Sequence, residues 1–212
     1  MFSGIVESVM PIISSEELAN AYRIKIKKPK EFTDIKLGDS IACDGVCLTV
    51  EAFDNEQMTF ALAAETIKIL EWNPQSWLGK KVNLERSLRF GDRIHGHLVT
   101  GHVDSLGTVS RAELQGESFF LDVKVQNSIW PFVWKKGSVT LNGVSLTVNE
   151  LQQHTVSVCL IPETLKRTNL GELKIGSRVN VEPDYMARAI QRSMEVKSEA
   201  EAGAKSLEEK RN

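Results

Sequence analysis

The residues best placed to do chemistry lie in two matching six-residue segments, Gly45-Val-Cys-Leu-Thr-Val50 and Gly143-Val-Ser-Leu-Thr-Val148. Read as strands, each puts alternate side chains on opposite faces. Cys47 and Thr49 share one face, and Ser145 and Thr147 share its counterpart. Val46, Leu48, Val50, Val144, Leu146 and Val148 take the other face and should fill a core. A row of small hydrogen-bonding side chains lets a flat ring approach the backbone, whose N–H and C=O groups can then read the ring's edge. The same row is also what a plain solvated strand shows. Its recurrence, each time followed by Glu-Thr (Glu65-Thr66 and Glu163-Thr164), favours a ligand surface.

His95, His97 and His102 form H-x-H-x4-H and raise the question of a metal. Zinc takes three or four His, Cys or carboxylate ligands from a rigid scaffold. Glycines at 96 and 101 surround these histidines and no second cluster completes the set, so no metal site is expected. Cys43 and Cys47 flank Asp44-Gly45 and should point to opposite faces. His154 reads as a loop residue. Rossmann, P-loop and G-x-S-x-G patterns are lacking.

The two segments belong to a duplication. They are 98 positions apart (45 to 143), as are Glu65-Thr66 and Glu163-Thr164. Val82-Asn-Leu-Glu85 meets Val179-Asn-Val-Glu182 at 97, and Ser3-Gly-Ile-Val-Glu7 meets Thr100-Gly-His-Val-Asp104 at 97. That period exceeds solenoid repeats, so two copies of a small domain are expected, with the boundary near Asp92–Gly96. Short alternating strands, glycine punctuation and the hairpin pairs Asp44-Gly45 and Asn142-Gly143 point to small antiparallel barrels. Minor helices are expected near Lys68–Leu78 and Leu165–Glu172. A clearer one spans Tyr185–Val196, with Met186, Ile190 and Met194 as an apolar stripe. A charged, disordered tail is expected after Lys197.

The 212 residues carry a formal net charge of −2, which offers no long-range attraction for nucleic acid or an anionic membrane. No apolar run approaches the ~20 residues that span a bilayer. The first residues have no basic region before their apolar ones, so no secretory signal is expected. Three sparse cysteines, Cys43, Cys47 and Cys159, suit a reducing cytoplasm. Composition and pattern thus end at a duplicated small β-barrel that could bind two similar flat polar ligands.

The same motifs closely resemble riboflavin synthase. The resemblance covers residues 1–190 and is carried by Met1-Phe-Ser-Gly-Ile-Val-Glu7, Gly45-Val-Cys-Leu-Thr-Val50, Glu65-Thr66, Val82-Asn-Leu-Glu-Arg86, Gly96-His-Leu-Val-Thr-Gly-His-Val-Asp104, Asn142-Gly-Val-Ser-Leu-Thr-Val148 and Ile161-Pro-Glu-Thr-Leu165. Two departures are His95, where the family usually has glycine, and Cys43-Asp44, where Asn commonly precedes the glycine. The resemblance implies a mainly β chain of two tandem six-stranded Greek-key barrels (1–92 and 93–184), each binding a lumazine. It adds a C-terminal helix (185–197) for trimerisation and a charged tail (198–212).

The activity implied is dismutation of two 6,7-dimethyl-8-ribityllumazine molecules into riboflavin and 5-amino-6-(D-ribitylamino)uracil. No cofactor is expected. The productive site would join the first barrel of one subunit to the second barrel of its neighbour in a homotrimer. Association with lumazine synthase is left open, and a cytoplasmic location is expected. By resemblance, the first socket is Gly4, Ile5, Val6, Cys47, Leu48, Thr49, Ala61, Leu62, Ala63, Ala64, Glu65 and Thr66. The second is Gly101, His102, Val103, Lys136, Ser145, Leu146, Thr147, Ile161, Pro162, Glu163, Thr164, Leu165 and Lys166. Residues implied in the chemistry are Ser40, Cys47, His102, Ser145, Thr147 and Asp184, with base and nucleophile unassigned. Asp184 could merely cap the helix, and Cys47 could merely pack. Two rivals stand beside the enzyme. A non-catalytic lumazine protein needs one socket only, yet here the second copy keeps its motifs. A flavin-dependent reductase would need a nicotinamide-binding domain for which no residues remain.

Overall fold

A computed structural model describes residues 1–19, 21–71 and 77–209. It contains two closed six-stranded antiparallel barrels and a C-terminal helix. The first barrel is built from β1 (Ser8–Glu17), β2 (Ala21–Lys27), β3 (Ser40–Cys43), β4 (Val46–Phe53), β5 (Gln57–Ala63) and β6 (Lys81–Arg86). Its strands close in the order β1-β2-β5-β4-β3-β6. The second uses β7 (Ser105–Gln115), β8 (Ser118–Lys124), β9 (Ser138–Leu141), β10 (Val144–Gln152), β11 (Thr155–Leu160) and β12 (Arg178–Pro183). Its cyclic order, β10-β11-β8-β7-β12-β9, is the same arrangement strand for strand. Thr49 and Thr147 occupy equivalent places, opposite Ser40 and Ser138 respectively.

The alternation in β4 and β10 sets the inside and the outside. Val46, Leu48 and Val50 are buried in the first core, and Val144, Leu146 and Val148 in the second. Cys47 and Ser145 are half-buried, while Thr49 and Thr147 are exposed. Register shifts between Val50 and Ala52, and between Val148 and Glu150, fall at matching positions of the two copies. Such bulges bend and twist a strand, which helps a short sheet to close.

The Asp44-Gly45 and Asn142-Gly143 turns have positive φ at both residues (46° and 82°, 46° and 78°), as a tight hairpin of this twist requires. Hairpin turns usually face water, but these two are buried against each other. A Cβ on Gly45 would lie 2.8 Å from the Gly143 nitrogen, so only glycine permits the contact. Asparagines close the joint symmetrically. Asn83 Nδ2 donates to the Asn142 carbonyl and Asn180 Nδ2 to the Asp44 carbonyl, both at 2.8 Å. Asn169 Nδ2 donates to Asp44 Oδ1 at 2.8 Å. Burial raises the Asp44 carboxyl's pKa, opposed by Lys80 at 3.4 Å and by the donors around it.

The helices differ in extent from the sequence expectation. α1 (Ala64–Leu70) and α2 (Pro162–Arg167) begin at the Glu-Thr pairs rather than after them. Pro162 favours this start because its missing N–H costs nothing in a first turn. α3 runs from Tyr185 to Glu209, well past 197. The segment expected as a disordered tail is rich in Ala, Glu and Lys, all good helix formers. Only 210–212 of it lie outside the described residues.

Candidate active site

Two segments outside the strands bring the site residues together, and each serves the barrel that does not follow it. The N-terminal residues cross to the second barrel. The Ser145 N–H donates to the Gly4 carbonyl at 2.8 Å, and Val6 is buried in the second core. The linker residues cross to the first barrel. The Cys47 N–H donates to the Gly101 carbonyl at 2.8 Å, and Val103 and Leu106 pack into the first core. Phe2 and Val99 pair between the crossing segments through N–H···O bonds of 2.8 and 3.0 Å, and Phe2 is fully buried.

This exchange corrects the expected grouping. Gly4, Ile5 and Val6 lie against Ser145, not Cys47, and Gly101, His102 and Val103 go with Cys47, not Ser145. Close approach explains the glycines. Gly4 (φ +75°) and Gly101 (φ +82°) would each place a Cβ 2.6 Å from the Cβ of Ser145 and of Cys47. A buried carboxylate fixes each segment. Glu85 accepts from Ser3 N at 2.7 Å, Ser3 Oγ at 2.9 Å and Gly4 N at 3.0 Å. Glu182 repeats this with Thr100 N at 2.8 Å, Thr100 Oγ1 at 2.7 Å and Gly101 N at 3.1 Å.

The first surface therefore comprises Cys47 and Thr49 on β4, Ala61 and Ala63 at the end of β5, Thr66 on α1, and the exposed His102 on the crossing segment. Leu48 and Leu62 point into the barrel and can contribute backbone only. The side chains of Ala64 and Glu65 lie outside the described residues. Ser40 sits across the ladder from Thr49 and lines an open cleft with Ile5, Glu7, Arg86 and His95.

The second surface has Ser145, Thr147, Cys159 (where the first copy has Ala61), the exposed Ile161 and the half-buried Thr164, together with Ile5 from the N-terminus. Leu146 points inward, and Leu165 packs against the second core. Pro162 and Lys166 are exposed, and Glu163 pairs with Arg167 along α2. Lys136 is exposed in a turn where its N–H donates to the Val148 carbonyl, and no described contact joins it to either surface.

His97, expected only as a member of the H-x-H-x4-H group, takes a place of its own in the second barrel. Its Nδ1 lies 2.7 Å from Ser145 Oγ and its Nε2 3.2 Å from Thr140 Oγ1, so it bridges two hydroxyls of the second barrel. Burial lowers its pKa, opposed by the charges of Asp184 and Glu182. The first copy has nothing like this. Thr140 is Ala42 there, which has no hydroxyl for such a bridge. Asp184 acts as a helix cap, with Oδ1 accepting from Met186 N–H at 2.9 Å.

The surfaces are thus alike in frame and different in chemistry. The first offers a thiol and an imidazole, and the second a hydroxyl held by a half-buried imidazole beside apolar Ile5 and Ile161. Such a pair can hold two similar flat molecules while treating them differently.

Comparison with known proteins agrees with this duplication. The lumazine binding domain matches twice, over residues 3–87 and 100–184. The chain is 39% identical to riboflavin synthase of Bacillus subtilis, over 94% of both chains. It is 38% identical to that of Brucella abortus (89% of this chain, 95% of the relative) and 39% to that of Mycobacterium bovis (92% and 98%). Among solved structures, LumP complexed with riboflavin superposes with a TM-score of 0.77 at 26% identity, covering 86% of this chain and 99% of LumP. LumP complexed with 6,7-dimethyl-8-ribityllumazine gives 0.75 at 25%, covering 86% and 98%. With two domain matches and relatives this similar along nearly the whole length, the chain belongs to the riboflavin synthase family.

Proposed function

We infer that the chain is a riboflavin synthase, converting two 6,7-dimethyl-8-ribityllumazine molecules into riboflavin and 5-amino-6-(D-ribitylamino)uracil. The observation that carries this is the reciprocal construction of the two surfaces, each completed by a segment of the other copy. Both reactants are the same compound, so two sockets of one design accommodate them. Holding both on a scaffold makes an encounter of two molecules effectively intramolecular, which can remove ~7–11 kcal/mol of barrier.

The chemistry needs a base for the acidic 7-methyl protons of one ring and a nucleophile, or an activated water, for the other. His102, Cys47 and Ser40 are the candidates on the first side, and Ser145 and Thr147 on the second. Asp184 spends one carboxylate oxygen on the α3 cap, so its part is to place the helix and to bias His97 by charge. The chain's own residues supply these steps without a cofactor or metal. Small side chains at Thr49, Ala63 and Thr147 leave room for a flat ring, while Leu48, Leu62 and Leu146 support the strands from inside.

The active assembly is a homotrimer in which the first surface of one subunit faces the second surface of its neighbour. The exposed stripe of α3 supports this. Met186, Ile190 and Met194 are 52%, 58% and 63% exposed, so the chain's own barrels do not cover them, and an apolar helix face of this kind is normally buried against something. Work in the cytoplasm fits the three free thiols. Contact with lumazine synthase would shorten the path of its product.

Titration of the chain with lumazine tests the two-socket reading. Two molecules should bind per chain, and Thr49→Trp and Thr147→Trp should each abolish one. Binding of a single molecule per chain would favour a one-socket carrier.

A further inference from the structure

The two crossing segments are matched residue for residue, but they are not gripped alike. In the first copy, Glu7 accepts from the Arg86 N–H at 2.7 Å and from its Nε at 3.2 and 3.1 Å. Glu85 and Arg86 are neighbours on β6, so one strand holds the whole segment. The counterpart of Glu7 is Asp104, and the counterpart of Arg86 is Pro183 (86 to 183, the same 97). Proline has neither the N–H nor the charge. Asp104 is met instead by the guanidinium of Arg188, which comes from the first turns of α3. The grip on the linker segment is therefore divided, with Glu182 on β12 holding Thr100 and Gly101 and α3 holding Asp104.

We propose that Arg188 is a positioning residue that couples the placement of α3 to the first surface, through Asp104 and the segment that lays Gly101 and His102 against Cys47. This rests on the functional reading above. His102 is two residues from Asp104 and has no side-chain partner of its own among the described residues. The Asp104 N–H donates to the Val181 carbonyl at 3.1 Å, which leaves the carboxylate's contact with Arg188 to fix the far end of the segment. The Nε of Arg188 is buried without an acceptor, and among the described residues the guanidinium's ion-pair partner is Asp104. Whatever seats α3, a neighbouring subunit above all, thereby sets the geometry at His102.

The coupling is sensitive to pH. Three charged groups act on Asp104: Arg188 from α3, Glu182 from β12, and His102 from its own segment. Burial is the largest influence and raises the carboxyl to about 6, with Arg188 and His102 opposing and Glu182 adding to the rise. Below that value Asp104 takes a proton and the ion pair is lost. The sign for folding is the reverse. The folded state holds this proton more tightly than the unfolded chain, so Asp104's contribution to stability improves on acidification and declines as pH rises toward 6. A loss of turnover near pH 6 is thus separable from a loss of fold.

The test compares wild type with Arg188→Gln, Arg188→Lys and Asp104→Asn between pH 5 and 8. Single-turnover riboflavin formation, urea unfolding and amide exchange over residues 100–104 are measured on each. Wild type should lose about 10-fold in rate below pH 6. Arg188→Gln and Asp104→Asn should be about 10-fold slow at pH 7.5 and keep less of that acid limb than wild type, with faster exchange over 100–104, and Asp104→Asn should do so at an undiminished unfolding midpoint. Arg188→Lys should keep the limb. Wild-type rate, limb and exchange in Arg188→Gln would overturn the coupling. Absence of riboflavin from the wild type would overturn the functional reading instead, and the exchange measurement would still decide the coupling.

Discussion

The N–H of Cys47 donates to the carbonyl of Gly101 at 2.8 Å, and this bond joins a strand of the first barrel to a segment of the second copy. Its mirror, Ser145 to Gly4, has the same length. Both glycines occupy left-handed backbone with no room for a Cβ. Gly101→Ala and Gly4→Ala should therefore each cost about 2–5 kcal/mol, from ~1–2 of left-handed strain and ~1–3 of overpacking. Urea unfolding measures the loss. Gly101→Ala should also weaken lumazine binding at the first surface more than at the second, and Gly4→Ala the reverse. A wild-type midpoint in either variant would contradict the close approach.

Glu85 gives a pH signature. Burial raises its pKa more strongly than the donors Ser3 and Gly4 lower it. The folded state keeps the proton longer than the unfolded chain, so stability falls as pH rises through the range above the ordinary carboxylate value. Glu85→Gln removes that dependence. From pH 4 to 7, urea midpoints of wild type should decline relative to the variant, and a rise relative to the variant would show that the donors, not burial, govern this carboxyl.

Cys47→Ser keeps the shape of the first surface and a group that can donate a hydrogen bond, and Ser145 shows that this strand position accepts serine. If the thiol acts through placement and hydrogen bonding, turnover should fall by no more than about 10-fold, whereas a thiolate nucleophile would cost far more. His102→Gln should cost more, on the order of 100-fold, because glutamine cannot carry a proton in and out. Single-turnover rates across pH, with lumazine binding measured separately, distinguish these. Full activity and an unchanged pH profile in His102→Gln would leave it a lining residue.

If the proposed trimer is held by α3, truncation before Tyr185 removes the apolar stripe and should lower the mass of the assembly in sedimentation. An unchanged trimer would place the contacts on the barrels. Removing only 197–212 should leave the mass of the assembly reduced by no more than the deleted residues.

The duplication, the closed barrels and the faces of β4 and β10 were legible because they rest on local rules: a fixed offset, alternation, and hairpin pairs. The exchange of crossing segments was not. An offset of 97 says that Gly4 and Gly101 are equivalent, but that equivalence holds whether each serves its own barrel or the other. The bonds from Ser145 to Gly4 and from Cys47 to Gly101, with Val6 in the second core and Leu106 in the first, decide it. His97 escaped for a related reason. Its partner Thr140 is Ala42 in the first copy, so the repetition that drew attention to Ser145 could not point to this bridge. The Asp184 cap was readable as an alternative, since an Asp directly before a helix is a common N-cap. The buried turns were not readable, because Asn-Gly and Asp-Gly specify the bend and say nothing of what covers it.

The central claim is tested most directly by giving the purified chain 6,7-dimethyl-8-ribityllumazine and nothing else, and following both compounds to completion. Riboflavin should appear at half the molar amount of lumazine consumed, matched by an equal amount of the ribitylamino-pyrimidinedione. Lumazine that binds and persists unchanged would contradict the account and leave the chain a carrier of its ligand.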